Sequence, residues 1–463
     1  MNRFWIITLA IGLSSGSLIA QSIEGKDTPP SRKQLRESVE RAHREIWRRF
    51  VSPDGWLFKY TDSTGRVFVP TPRECAENKP NALGYFTPIE DGAFYTGLYL
   101  EGLCNRWRAT RAAVDAEKAR KVARGLVKLA GVGQHPAFVA RGLATDGRAH
   151  YKASSSDQTF PWFYGLWCYA TSGIPSEEER QQVVAAMERV ALGLEANGWK
   201  IHGDPKEFGV FGDWTGGWPE NSDGTRAALT GEEPQFDSSV RPLFVTRTLY
   251  QLTNKDRWMR TYKKMLQEKP RGSSRTRLQI CADGVNYVPP GVPAKYPKSP
   301  RILTSASSQA ALRALSQLET DSEIQTAYRR GLVANAASAA PHVAALRKYD
   351  NQNTLSFEID WHFLLEAWKP QSNVADAIAV ARQQSRLIAR RRPRHRMETE
   401  FMAAPLFAAW IVALSGDSDK IESVRRDLDR ILTYYRYDKL YTVPFFMVEN
   451  VYWLLHPPAK EKR

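Results

Sequence analysis

Six segments of this chain would be apolar on almost every side if coiled into helices. They are "DGAFYTGLYLEGL" from Asp91, "DQTFPWFYGLWCY" from Asp157, "FDSSVRPLFVTRTLYQL" from Phe236, "SASSQAALRALSQL" from Ser305, "EIDWHFLLEAW" from Glu358 and "ETEFMAAPLFAAWIVAL" from Glu398. A helix without a polar face has to be surrounded by protein, so all six must share an interior. Gly97, Gly102 and Gly165 lie within these segments. They let neighbouring helices approach closely, at some cost in helix propensity.

Between them run helices of a second kind, each with one wet face. Leu35, Val39, Ala42, Ile46 and Phe50 recur at helical spacing behind a capping box of Ser31 and Gln34. Ser176 with Glu179 repeats that signature ahead of Val183, Met187, Val190 and Leu194. Val122, Leu126 and Leu129 mark another wet helix, and Ile421, Val424, Leu428 and Ile431 a further one. The grammar is a polar opening, a buried helix, a short turn and a wet helix. Repeated six times, it predicts an all-α fold: an (α/α)6 toroid, or barrel, whose hairpins bury each other's apolar helices. An open α-solenoid is the alternative, and the uneven intervals between openings favour the closed ring. Residues 51–72 read as a short β-hairpin turning near Gly65. Residues 200–236 and 270–304 read as long loops at the mouth, of a length that usually carries function.

With 463 residues, 42% of them hydrophobic, the chain can build a large core without a metal or disulfide framework. Residues 1–20, "MNRFWIITLAIGLSSGSLIA", read as a signal peptide: one arginine, an apolar stretch with small residues, then Ala20. A single membrane anchor is the alternative. No later stretch has the ~18 uninterrupted apolar residues of a spanning helix. The expected organisation is therefore a signal peptide at 1–20 and one barrel domain at 21–463, exported to the periplasm or secreted, with no membrane span in the mature chain. Cys75, Cys104, Cys168 and Cys281 show no C-x-x-C spacing, so a zinc site is not expected. Cys104 and Cys168 fall inside apolar helices, as buried thiols do.

Charge narrows the partner. Lys and Arg number 65 against 50 Asp and Glu, a formal net charge of +15. A basic exported protein meets anionic polysaccharide, lipid headgroups or nucleic acid, and no motif supports nucleic acid. In a toroid the buried helices run parallel, so their N-termini turn partial positive charge toward one mouth. "RAHYK" at 148–152 and "RRRPRHR" at 390–396 flank two of the openings and add to it. The expected ligand is an anionic oligosaccharide or polysaccharide.

Acids at or near the openings are Glu90, Asp91, Asp157, Asp237, Glu358, Asp360, Glu398 and Glu400, with Asp204 and Asp213 in the long loop. Each also suits an N-cap. Pro161 belongs in a first helical turn, which would start the helix after Asp157 and leave its carboxylate on the rim. A glycoside hydrolase needs one protonated and one ionised carboxyl. A helix N-terminus favours the ionised form, whereas a general acid needs desolvation or a like charge nearby, as Glu90 beside Asp91 or Glu358 near Asp360 would supply. The candidate catalytic residues are Asp157 with Asp91 or Asp360. Gln158 suits sugar hydroxyls, Arg148 and His150 a uronate carboxylate, and Tyr164, Trp214 and Trp218 the faces of sugar rings. Asp213 and His362 complete the candidate binding set. A polysaccharide lyase is the rival chemistry, with a His or Tyr base and a cation on the carboxylate. His150 with Tyr151 and Arg148, or His362 beside Asp360, would serve it. A third reading is a glycan-binding protein without chemistry. No H-E-x-x-H or similar spacing occurs, and neither metal nor cofactor is expected.

With "EDGAFYTGLYLEGL", "SSSDQTFPWFYGLWCY" and the repeated acid-then-buried-helix openings, the chain resembles the six-hairpin glycosidase-like superfamily over roughly residues 31–456. That superfamily includes unsaturated glucuronyl hydrolases and several polysaccharide lyases. The resemblance implies an (α/α)6 barrel acting on uronate-containing glycans. Asp91 and Asp157 are the nearest positional matches to its catalytic aspartates, at successive starts of inner helices.

Overall fold

A computed structural model describes residues 29–217, 219–227, 235–286 and 302–457. In chain order its longer helices are α1 (Arg32–Arg49), α2 (Gly92–Thr110), α3 (Ala113–Leu129), α4 (Ser156–Ala170), α5 (Glu177–Ala196), α6 (Gln235–Thr253) and α7 (Asp256–Gln267). They continue with α8 (Ile302–Leu318), α9 (Ser322–Val343), α10 (Val374–Arg391), α11 (Ala404–Ser415), α12 (Arg425–Tyr434) and α13 (Met447–Leu455). The described residues hold a single two-stranded sheet, β1 (Lys200–His202) antiparallel to β2 (Val210–Asp213), with Lys200 opposite Asp213. The fold is all-α.

Local signals set the helix starts. The Ser31 hydroxyl accepts the Gln34 backbone N–H and Gln34 caps the Ser31 N–H in return, so α1 begins with two orphan donors satisfied. The same reciprocal pair at Ser176 and Glu179 opens α5. The apolar stripe of α1 is buried from Leu35 to Phe50, as are Val122, Leu126 and Leu129 of α3.

The all-apolar helices lie inside. Every residue of α2 from Gly92 to Cys104 is buried, and α11 is buried from Pro405 to Leu414. Glycine lets α2 and α4 touch backbone to backbone. A Cβ on Gly97 would stand 2.0 Å from the Pro161 carbonyl oxygen, and one on Gly165 would stand 2.4 Å from that of Gly97. α2 packs on α3 and α4, α6 on α7 and α8, and α8 on α9 and α11; α11 packs on α9 and α13, and α13 returns to α2. α1 lies against α12 and α13, so the first and last helices meet. One hydrophobic core contains residues from Leu35 to Val451.

Four expectations change. The segment from Glu358 is not a buried helix: Asp360 caps a 3-10 turn, Trp361–Ala367, in which only Trp361 and Leu364 are buried. Pro370 follows too closely for the turn to grow into a helix. These side chains pack with Leu387 and Ile388 of α10 in a separate small cluster. A further largely buried helix, α13, lies near the chain's far end and packs on α2 and α11. Residues 51–72 turn at Gly65 (φ +97°) but form no ladder. They make isolated bridges, one from Val51 to Leu57 and one from Tyr60 to the distant Thr442. The two expected loops are not loop alone: among their described residues, 200–236 hold the sheet and 270–304 a short helix, Arg277–Asp283. Finally, α4 starts at Ser156, so Asp157 lies within its first turn and Ser155 takes the cap position.

The four cysteines are free and buried. Pro393–Ser415 is a helical stretch long and apolar enough to cross a membrane, but 72% of its most apolar window is buried. Its α11 portion packs on α8, α9 and α13, which makes it a core helix. Residues 1–20 and Trp218 lie outside the described residues.

Candidate functional site

The N-terminal ends of α2 and α4 open side by side into a cavity of about 460 Å³. Glu90, Asp91, Arg141 and Ser155 to Gln158 form its polar wall, Tyr85, Phe86 and Phe211 supply rings, and Ile378, Ala381, Arg382 and Ser385 of α10 close the far side. β2 brings in Phe211. α10 is seated by Val374, Ala377 and Ala381 against Leu83, Ala153 and Phe208. That contact makes it a packed wall of the cavity.

Asp91 occupies the N-cap position of α2 without capping it. The first turn of α2 finds other acceptors: the Ala93 N–H donates to the Arg141 carbonyl, and the Phe94 N–H to Oε1 of Gln158 at 3.1 Å. The Asp91 carboxylate is thereby freed for side-chain partners. Its Oδ1 accepts Nε2 of Gln158 at 3.0 Å, and its Oδ2 lies 2.9 Å from Lys59 Nζ. The same ammonium stands 2.8 Å from Oε2 of Glu90. Two adjacent carboxyls thus share one lysine, and their environments push them apart. Burial raises the pKa of Glu90, the neighbouring Asp91 charge adds to the rise, and Lys59 only partly opposes it. Burial also acts to raise Asp91, but Lys59, Arg141 and the Gln158 amide outweigh it and hold the carboxyl below its ordinary range.

Arg141 is 3% exposed. Its Nε donates to the Ala153 carbonyl at 3.0 Å and its Nη1 to the Glu90 carbonyl at 3.1 Å, with Asp91 Oδ1 at 3.8 Å from Nη1. Nη2 is buried with no hydrogen-bond partner, on a residue that lines the cavity. Its guanidinium carbon stands 5.2 Å from the centre of the Tyr85 ring. Asp157, 41% exposed, accepts Nη2 of Arg241 at 2.9 Å. Arg241 itself is fully buried, nearly two turns into α6.

The cavity thus gathers Asp91, Asp157 and Gln158 from the residues expected by sequence. Gln158 is spent on α2 and Asp91, which makes it a positioning residue. The other described candidates stand elsewhere. Asp360 receives the His362 N–H and faces Nδ1 of the same histidine at 2.5 Å, while His362 Nε2 pairs with Glu74 at 2.7 Å. This trio braces the 3-10 turn off the cavity. Arg148 and His150 line a separate cavity of about 290 Å³ with Asp204, whose Oδ2 lies 3.0 Å from His150 Nε2. Tyr164 is core, its ring packed near Phe244, Trp167 and Trp410. Trp214 is fully buried and stacks on Trp199 at 6.2 Å. Asp213 is buried, with Oδ1 accepting the backbone N–H and hydroxyl of Thr215. Of the basic run at 390–396, Arg392 and Arg394 are buried and committed internally, whereas Arg390, Arg391 and Arg396 are exposed. Arg392 binds the Glu358 and Phe86 carbonyls and the Tyr60 hydroxyl, Arg394 binds Glu398, and Arg396 pairs with Glu400. Burial, with Lys59 and Arg392 nearby, pushes His395 down to about 3 and keeps it neutral.

Lys59, Arg141, Arg241 and Tyr85 are the residues that sequence reasoning passed over. Arg241 carried one signal: a charge inside a helix otherwise fit for burial. Lys59, Tyr85 and Arg141 sit in irregular chain, where no periodicity marks a direction. Among the described residues no group of three or more His, Cys, Asp or Glu side chains is gathered to hold a metal ion. Compared with known proteins, the chain matches no protein-family model, and no curated protein matches it.

Proposed function

We propose that the protein is an exported glycoside hydrolase that cleaves a uronate-containing oligosaccharide in the cavity between α2, α4 and α10. The observation that carries this reading is the Glu90–Asp91 pair, one carboxyl pushed toward the protonated form and one held ionised, on the same wall as Asp157. A carboxyl kept protonated by burial and a neighbouring like charge, with a second carboxyl on the same wall, is the equipment of glycosidic cleavage. Glu90 is the proton donor to the leaving oxygen, and Asp157 at the rim is the second carboxyl, acting on water or the anomeric carbon. Asp91 holds the proton on Glu90 by like charge. The unpartnered Nη2 of Arg141 is the contact for the uronate carboxylate, and Tyr85, Phe86 and Phe211 offer faces to the sugar ring. A closed (α/α)6 toroid in one domain belongs to the same proposal. It is supported by the packing order of α6, α8, α11, α13, α2 and α4, with α4 again against α6.

A lyase is the second reading, favoured by Tyr85 lying beside the Arg141 guanidinium. Burial, opposed by Arg141 but aided by Glu90, Asp91 and Asp157, pushes the Tyr85 phenol up to about 12. That makes it a poor base and leaves hydrolysis ahead.

The test is a panel of uronate-containing and neutral oligosaccharides assayed for new reducing ends. Uronate substrates should be cleaved, and Asp157→Asn and Glu90→Gln should each lose about 10²- to 10⁴-fold in turnover with the fold intact. Activity should fall on the alkaline side as Glu90 loses its proton, a limb that Glu90→Gln removes. Full activity in both variants would end the reading. Products absorbing in the near ultraviolet would replace it with β-elimination, and binding without product would replace it with a glycan-binding role.

A further inference from the structure

Toward the other end of α2, three helices bring together an amine, an imidazole and a carboxylate. His43 of α1 is 2% exposed, and its Nδ1 lies 2.8 Å from Oε1 of Glu449 on α13. Glu449 is wholly buried, and the same oxygen accepts the Tyr99 hydroxyl at 3.3 Å. On the opposite side of the ring, His43 Nε2 stands 2.6 Å from Lys118 Nζ of α3. A buried carboxylate accepts only, so Nδ1 carries the imidazole proton and Nε2 turns its lone pair to the lysine. A nucleophile, a base within hydrogen-bond reach and a third group orienting that base are the parts of an activated nucleophile.

The surroundings pull the Lys118 amine both ways, with a net lowering of its pKa. Lys118 is half-buried, and its nitrogen stands 5.0 Å from the centre of the Trp47 ring, a contact that favours the ammonium. Burial and the Arg106 guanidinium lower its pKa, against the pull of Asp115, Glu449 and Glu40. Arg106 is itself engaged by Asp115 at 2.9 Å and Glu40 at 2.5 Å, which leaves those carboxylates partly neutralised.

We propose that Lys118 is a nucleophilic lysine, a modification site that takes an acyl group from an activated acyl donor with His43 as its base. The amine lone pair forms the N–C bond to the acyl carbon. The bond from that carbon to the donor's phosphate or thiolate breaks, and the leaving group departs with the electron pair. The proton from Nζ passes to His43 Nε2 and from there to solvent. The product is a neutral amide that can no longer take up a proton, so the cluster shared by α1, α2, α3 and α13 loses a basic group.

The experiment uses the full chain and acetyl phosphate. Limiting reagent is added at pH 7.5, and acetylation of each lysine is followed over time by peptide mass spectrometry. Lys33 and Lys264, whose side chains are 86% and 79% exposed, serve as internal standards. Lys118 should react about tenfold faster or more than either. Glu449→Gln should remove most of that excess while leaving Lys33 and Lys264 unchanged. Lys118 reacting no faster than the standards in the unmodified chain overturns the proposal, with no variant needed. An excess that persists in a folded Glu449→Gln protein overturns the assignment of His43 as base.

Discussion

At the scale of single residues, Glu101 shows how environment decides chemistry. It sits midway along α2, 7% exposed, with Nδ2 of Asn450 at 3.3 Å from its carboxylate. Burial raises it from 4.5 to about 7, with Tyr164, Arg313, Arg108 and Trp410 acting in the opposite direction. Tyr164, expected from sequence to meet a sugar, is part of this buried group instead. Between pH 4.5 and about 7 the folded chain keeps a proton that the unfolded chain has released, so this residue's contribution to stability falls as pH rises through that window. At one pKa unit per 1.36 kcal/mol, the loss is about 3 kcal/mol above pH 7. Glu101→Gln should therefore be more stable than the parent at pH 8, with the gap closing by pH 4.5. Urea denaturation at the two pH values reads the difference, and equal gaps at both would refute the assignment.

Among elements, the α2–α4 contact is the most demanding. Gly97 and Gly165 meet backbone atoms rather than movable side-chain ends, so an added methyl forces two buried helices apart. Gly97→Ala should cost about 1–3 kcal/mol or more. Gly131→Ala, whose nearest atoms would be at 3.5 Å, should be close to neutral. Thermal unfolding of the two variants compares them directly. α10 offers a different test. Ser385 is exposed and lines the cavity, so under the proposed function Ser385→Tyr should lower kcat/KM for the uronate oligosaccharide with stability changed by no more than about 0.5 kcal/mol. An unchanged kcat/KM would take α10 out of the substrate wall. Capping boxes and apolar stripes were legible for α1 and α5 because they depend on residues within four positions of each other. The Glu358 segment misled because its apolar content resembled a buried helix while Pro370 cut it short.

For the molecule as a whole, the ends of the chain matter most. α1 meets α12 and α13, and α13 also packs on α2 and α11. The His43–Glu449 pair lies within this junction. Removing the carboxylate leaves the Arg106 guanidinium without a buried counter-charge and the His43 and Tyr99 donors without their acceptor, so Glu449→Ala should cost about 3–5 kcal/mol. Denaturant midpoints measure it, and a loss under about 1 kcal/mol would show that the junction does not depend on the pair.

The chain's own order of residues settled what each stretch could become. It specified helices apolar on all sides, wet helices with stripes, their caps, and acids waiting at the openings, because periodicity and capping act over a few neighbouring positions. Only the tertiary structure decided which acids share a cavity. Lys59, Asp91, Arg141 and Asp157 converge from four separate stretches, Asp360 is left on a brace, and α13 is buried against α2 and α11 while the Glu358 segment forms only a 3-10 turn. The reason is physical: a carboxyl's protonation depends on the charges and burial around it, and these come from residues distant in the chain.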